Sequence, residues 1–183
     1  VDGAFAMISD RQPAVAGLFY PADPKTLRHQ VQSMMDAAAP ASLAEVKALV
    51  VPHAGYQYSG PIAASAYAQL APLAARIRRV VLFGPAHRVY FQGIAYPDAE
   101  RLLTPLGPVA LDGDALAGVA DLTQVHRMDR AFSGEHCLEV QLPFLQAVLP
   151  DFRVVPLLVG DSSPEAVAEV MERLWGGTET LIL

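Results

Sequence analysis

Two histidines, His53 and His87, each stand a short way past a valine-rich apolar run that proline closes, in ALVVPH and VVLFGPAH. Imidazole binds iron, copper or zinc and carries protons near neutral pH. If the two runs are neighbouring parallel strands ~4.8 Å apart, both rings emerge at the same edge of the sheet, where open α/β sheets bind ligands. The alternative is that each ring caps a helix or bonds a backbone carbonyl, since neither HxxxH nor CxxC spacing is present. Around His53, Gly55 and Gly60 let the loop turn tightly. Tyr56 and Tyr58 either offer hydroxyls to a substrate or pack with those hydroxyls bonded to backbone, and Ser59 reads as a helix cap. Glu135 and His136 open an apolar helical stretch, a position where the helix dipole favours the carboxylate. His136 is then a general base, a partner behind a metal ligand, or a structural hydrogen bonder. Cys137 reads as a small buried apolar residue rather than a nucleophile.

These groups need a scaffold, and the apolar periodicity supplies one. Asp23 and Pro24 mark the start of a helix running to about Ala39, with Leu27, Val31 and Met34 or Met35 on its buried face. Val46–Val51 and Val80–Phe83 read as strands buried on both faces, with Gly84 and Pro85 ending the second. The helix between them, Pro61–Leu70, makes a βαβ unit. Short strands are expected at Val89–Tyr96, Arg101–Leu103 and Pro108–Leu111, and a helix capped by Asp112 or Asp114 runs through Val119. Asp129–Ser133 reads as loop. Glu135–Val148 has leucines at helical spacing and a kink at Pro143. Phe152–Val159 is a further buried strand, Pro164–Trp175 a helix capped by Ser162 or Ser163, and Thr180–Leu183 a final strand. The alternation predicts an α/β protein, a three-layer α/β/α sandwich with a largely parallel or mixed central sheet. Residues 1–11 read as a leader and 12–183 as one domain.

Composition removes several function classes. The chain is 52% hydrophobic and 17% charged, which argues for a packed core over disorder. A net charge of -6 without a basic stripe argues against nucleic-acid binding. The lone cysteine forbids an internal disulfide, and no run of ~20 apolar residues offers a membrane span. A cytoplasmic location is the expectation. GxSxG, GxxxxGK[ST] and GxGxxG are all absent, so the hydrolase elbow, the P-loop and the dinucleotide fingerprint find no support.

In order along the chain, PAVAGLFYPAD, VVPHAGYQYSG, VLFGPAH, EHCLEVQLPFLQ and PLLVG resemble the Memo family, also called AmmeMemoRadiSam system protein B. The resemblance runs from about Gln12 to the end. It implies a fold like the LigB-type class III extradiol dioxygenases, which hold non-haem Fe(II) with two histidines and a carboxylate. It puts the metal ligands on His53 and His87 and lines or flanks the pocket with Phe19, Tyr58 and His136; taken with the residue reading above, His136 is the candidate catalytic group and Tyr56 and Glu135 are further pocket candidates. It also implies a third ligand from a segment beyond Leu183, so the chain reads as the N-terminal portion of a longer domain. Fe(II) is the favoured metal, with copper or zinc as alternatives. The implied activity is that of an oxygen-dependent metalloenzyme acting on an unidentified small molecule. The alternative is a non-catalytic component that binds metal or peptide beside a radical SAM partner.

Overall fold

A computed structural model describes residues 9–183. The short strand β1 (Asp10–Arg11) is followed by helix α1 (Pro24–Asp36), with Asp23 at its N-cap accepting from the Thr26 amide. Helix α2 (Tyr56–Tyr67) leads through a 3-10 segment at Ala68–Leu73 to strand β2 (Arg79–Pro85). Strands β3 (Ile94–Tyr96), β4 (Arg101–Thr104) and β5 (Gly107–Ala110) precede helix α3 (Gly113–Ala117) and strand β6 (Val125–Arg127). Helix α4 (Leu142–Val148), strand β7 (Arg153–Val159), helix α5 (Pro164–Arg173) and strand β8 (Thr180–Ile182) complete the order.

The main sheet has the order β6-β3-β7-β2-β8 and is mixed, because β3 runs antiparallel to β7 while the other pairs are parallel. Strands β2 and β7 form its centre. Val80, Val81, Leu82, Val154, Val155, Leu157 and Leu158 are all fully buried, as expected of strands covered on both faces. Helices α1, α2 and α4 pack on one another as one outer layer. Helices α3 and α5 belong to the other. Arg173 at the end of α5 donates to the Gly118 carbonyl (3.1 Å) and to Asp121 (3.2 Å), beside α3. A small sheet, β1-β4-β5, joins the main one through a bridge from Leu111 to Val154. The architecture is therefore the expected three-layer α/β sandwich. Within the expected leader, residues 1–8 lie outside the described residues. Asp10 and Arg11 pair with Arg101 and Leu102, and Arg11 bonds Asp129 at 2.7 Å.

Several elements differ from the sequence expectation. Val46–Val51 is not a strand buried on both faces. Only Ala48 bridges, to Ile182, and Val50 is 100% exposed. The segment lies at the outer edge beside β8, so β8 separates it from β2 and the expected βαβ neighbours are not adjacent. Lys47 fixes this edge by donating to the carbonyls of Trp175, Gly177 and Thr180. Helix α2 begins at Tyr56, not at Pro61, which sits inside it. Ser59 is likewise within the helix, where its hydroxyl donates to the Ala54 carbonyl. Strand β2 continues through Gly84 and Pro85, pairing with Leu158 and Val159, and Val89–Tyr96 yields strand only at its last three residues. Glu135–Val148 is not one kinked helix. It is an irregular turn, a 3-10 turn at Glu139–Gln141 and then α4, with Pro143 in the first turn where its missing N–H costs nothing.

Candidate metal site

The segment 135–141 organises the site, and each of its polar side chains answers a specific need. Glu135 is 5% exposed, and a carboxylate so buried must be satisfied by donors. Its Oε2 accepts the backbone N–H of His87 (2.6 Å). Its Oε1 accepts His87 Nδ1 (3.0 Å) and the amides of His136 (2.8 Å) and Cys137 (3.1 Å). Burial by itself would raise this acid, but the bonds from His87, Cys137 and His136 outweigh it and hold Glu135 at about 2. The carboxylate is thus ionised throughout the neutral range. An ionised acceptor at Nδ1 selects the Nδ1–H tautomer of His87 and leaves Nε2 as the lone-pair nitrogen.

Three imidazoles gather beside it. The ring centres of His53 and His87 are 5.1 Å apart, those of His87 and His136 4.7 Å, and those of His53 and His136 5.9 Å. One ligand nitrogen from each ring lies within 4.8 Å of the other two. Two nitrogens bound to one ion at ~2.0–2.1 Å are separated by at most about 4.2 Å, so small ring movements bring this set onto an ion. Burial lowers His53 and His136 below the ordinary histidine value. The neighbouring rings add to this and Glu135 opposes it, so both are neutral and ligand-ready at pH 7. His87, Glu135 and Cys137 form a second close group. Cys137 Sγ is turned to the Pro85 carbonyl (3.3 Å), and burial pushes its thiol well up, so it stays protonated.

Two further residues hold the loops that carry the rings. Gln141 donates to the Pro52 carbonyl, one residue before His53, at 3.2 Å, and accepts from the buried Tyr67 hydroxyl at 2.7 Å. Glu139 accepts from the amides of Ala14 (2.7 Å) and Val15 (3.0 Å) and from the Tyr20 hydroxyl (2.6 Å). This pins the turn from Val15 to Tyr20, in which Gly17 takes a φ of +83°. The pinned turn delivers Phe19 against His136, with ring centres 4.5 Å apart. Gly84 is required beneath the site. A Cβ there would meet Leu138 Cδ2 at 2.6 Å and Cys137 Sγ at 2.7 Å.

The sequence-predicted residues therefore divide. Phe19, His53, His87, Glu135 and His136 are brought together. Tyr56 is not in the pocket, because it is buried in the core with its hydroxyl donated to the Val140 carbonyl at 2.7 Å. Tyr58 is 77% exposed and does not line the cleft. That cleft has a volume of about 660 Å³ and is walled by Phe19, Val50, Val51, Pro52, His53 and His136. Sequence reasoning missed Glu139 and Gln141. Their signal was present, because polar side chains within the apolar run CLEVQLPFL must find partners when buried.

An α/β sandwich with a histidine cluster over one end of its central strands, backed by a buried carboxylate, defines a possible metal-binding site. A family model described as Memo, Memo-like protein, matches residues 11–178. Relatives described as MEMO1 family proteins match over most of the chain. One from Sulfolobus acidocaldarius is 36% identical over 178 residues, 90% of this chain and 62% of the relative. One from Ignicoccus hospitalis is 37% identical over 182 residues, 93% of this chain and 64% of the relative. One from Methanococcoides burtonii is 40% identical over 166 residues, 87% of this chain and 58% of the relative. The chain belongs to the Memo family. It spans roughly six-tenths of the length of these relatives. No helix among the described residues is long and apolar enough to cross a membrane.

Proposed function

We propose that this protein binds a redox metal, Fe(II) by preference, through His53 and His87, and uses it for oxygen-dependent chemistry on a small molecule. The observation that carries the reading is the Glu135–His87 pair next to His53. A ring whose Nδ1–H is held by a buried carboxylate at 3.0 Å has the hydrogen-bonded backing that metal-bound histidines characteristically carry. The donor set fits the metal. Neutral imidazoles suit iron, copper and zinc, and the two rings stand 5.1 Å apart. Such an ion, when bound, supplies sites for dioxygen and for adjacent oxygens of a substrate.

The chain's own groups account for the rest. Glu135 keeps His87 in one tautomer and one orientation. Gln141 ties the backbone ahead of His53 to the same segment. Phe19, Val51 and Pro52 give the open cleft an apolar wall against which the apolar part of a small molecule can pack. The protein purified without oxygen, loaded with Fe(II) and given a panel of catechols in an oxygen electrode, should consume O2, and His53→Ala should abolish that uptake. Metal binding without uptake from any catechol would remove the oxygen chemistry and leave a metal-binding protein.

A further inference from the structure

The wall of the cleft carries no fixed charge of its own. Phe19, Val51, Pro52 and Ala54 are apolar, and the rings of His53 and His136 are neutral at pH 7. The carboxylate beneath them is already satisfied, since Glu135 accepts four N–H groups. Apart from the ring nitrogens, a polar group that orients a ligand must therefore come from the rim.

Arg88 is such a group. It follows His87 in a turn that is held at both ends. On one side the Ala86 amide donates to the Val159 carbonyl at 3.0 Å and the His87 amide to Glu135 Oε2 at 2.6 Å. On the other the Tyr90 hydroxyl donates to Asp161 Oδ2 at 2.9 Å and the Asp161 amide to the Phe91 carbonyl at 2.8 Å. Between these anchors Arg88 is exposed, and its side chain makes no ion pair and no hydrogen bond among the described residues. Five other arginines, Arg11, Arg79, Arg101, Arg127 and Arg173, are each paired with an aspartate. In a chain of net charge -6, an unpaired guanidinium on a pinned turn is a cation open to an external anion. Its charge is felt in the cleft wall. His136 is lowered by burial and by the charges of His87, His53 and Arg88, against the opposing pull of Glu135.

We propose that Arg88 is the anion-binding residue of this cleft, and that the ligand is a small molecule with an apolar body and a carboxylate or phosphate group. The inference rests on the reading of the cleft as a small-molecule site and deepens it by naming the charge of the substrate. The apolar body lies against Phe19, Val51 and Pro52. The guanidinium takes two oxygens of the anion side by side, which the point charge of a lysine does not reproduce. A neutral molecule of the same shape keeps the apolar contact and loses the charged one.

The test titrates benzoate, phenyl phosphate and neutral benzamide into the whole chain and follows 1H–15N correlation spectra. Each probe is added to the metal-free protein and to protein given one equivalent of Zn(II), so that coordination to zinc is told apart from binding at Arg88. In both forms at least one anion should bind about tenfold or more tightly than benzamide. Arg88→Gln should lose that preference, Arg88→Lys should keep part of it, and Arg28→Gln, at an exposed arginine of α1, should keep all of it. Added salt should weaken the anion in the wild type and leave Arg88→Gln unchanged. The tighter anion of the two distinguishes a carboxylate substrate from a phosphate. Arg88→Gln binding both anions as the wild type does, benzamide binding as tightly as they do, or neither anion binding at about 10 mM would each overturn the proposal. Zinc held equally by wild type and Arg88→Gln would then leave the metal-binding reading standing. Wild type that held no zinc would remove the metal-binding reading instead, and the metal-free titrations would still decide the role of Arg88.

Discussion

Replacing Glu139 by alanine isolates the device that presents Phe19 to the histidines. Its carboxylate is the common acceptor for the Ala14 and Val15 amides and the Tyr20 hydroxyl, at 2.7, 3.0 and 2.6 Å. A buried hydrogen bond to a charged group contributes about 1.5–3 kcal/mol. The Ala14 bond lies at the surface and adds little, while the other two are part-buried, so Glu139→Ala should cost about 3 kcal/mol. Tyr20→Phe, which removes one of the three bonds, should cost about 1.5 kcal/mol alone and nearly nothing in the Glu139→Ala background, because the two changes share a partner. Urea unfolding gives the energies, and hydrogen exchange gives the location. Amides of residues 13–20 should lose protection in Glu139→Ala while those of β2 and β7 keep theirs. A cost below about 0.5 kcal/mol, or a loss of protection spread evenly over the sheet, would refute the idea that this carboxylate is a local latch.

Three other outcomes follow from the same packing. Gly84→Ala should destabilise the fold by about 1–3 kcal/mol, because the added methyl meets Leu138 and Cys137 inside normal contact distance; unchanged urea melts would count against it. His53 and His136 have native values below 6.5, so the unfolded chain takes up protons first as the pH falls. Their contribution is complete above about pH 6.5 and drains away below it, so metal-free wild type should lose more stability between about pH 7.5 and about pH 5.5 than a His53→Gln/His136→Gln variant. Lys47→Met should loosen the edge carrying Ala48 and β8, seen as faster exchange of the Leu49 and Ile182 amides with the β7 amides unaffected.

The sequence disclosed those parts of the fold whose signals are local. Strands β2 and β7 are legible because continuous valine and leucine suit a strand covered on both faces. Helix α5 is legible because Ser163, Pro164 and Gly176 mark its ends, and α1 because Asp23 and Pro24 mark its start. What failed depended on long-range partners. Leu138, Leu142 and Leu145 do have helical spacing. The carboxylate of Glu135, however, captures the amides of His136 and Cys137 and gives that turn another conformation. Val46–Val51 carries a strand-like pattern, but its neighbour on one side is β8 and Val50 meets solvent. In the site, His53 and His87 do meet as expected, but not as the ends of neighbouring strands, because β8 lies between Val46–Val51 and β2. Tyr56 could not be placed, because its hydroxyl goes to the carbonyl of Val140, a residue 84 positions away.

The most direct measurement is elemental analysis of the protein purified without oxygen, beside the His53→Ala/His87→Ala variant. The account predicts close to one equivalent of a transition metal in the wild type and almost none in the variant, with both folded by circular dichroism. Equal metal in both proteins would contradict it, since the ion would then be held by groups other than the two imidazoles on which the site is built.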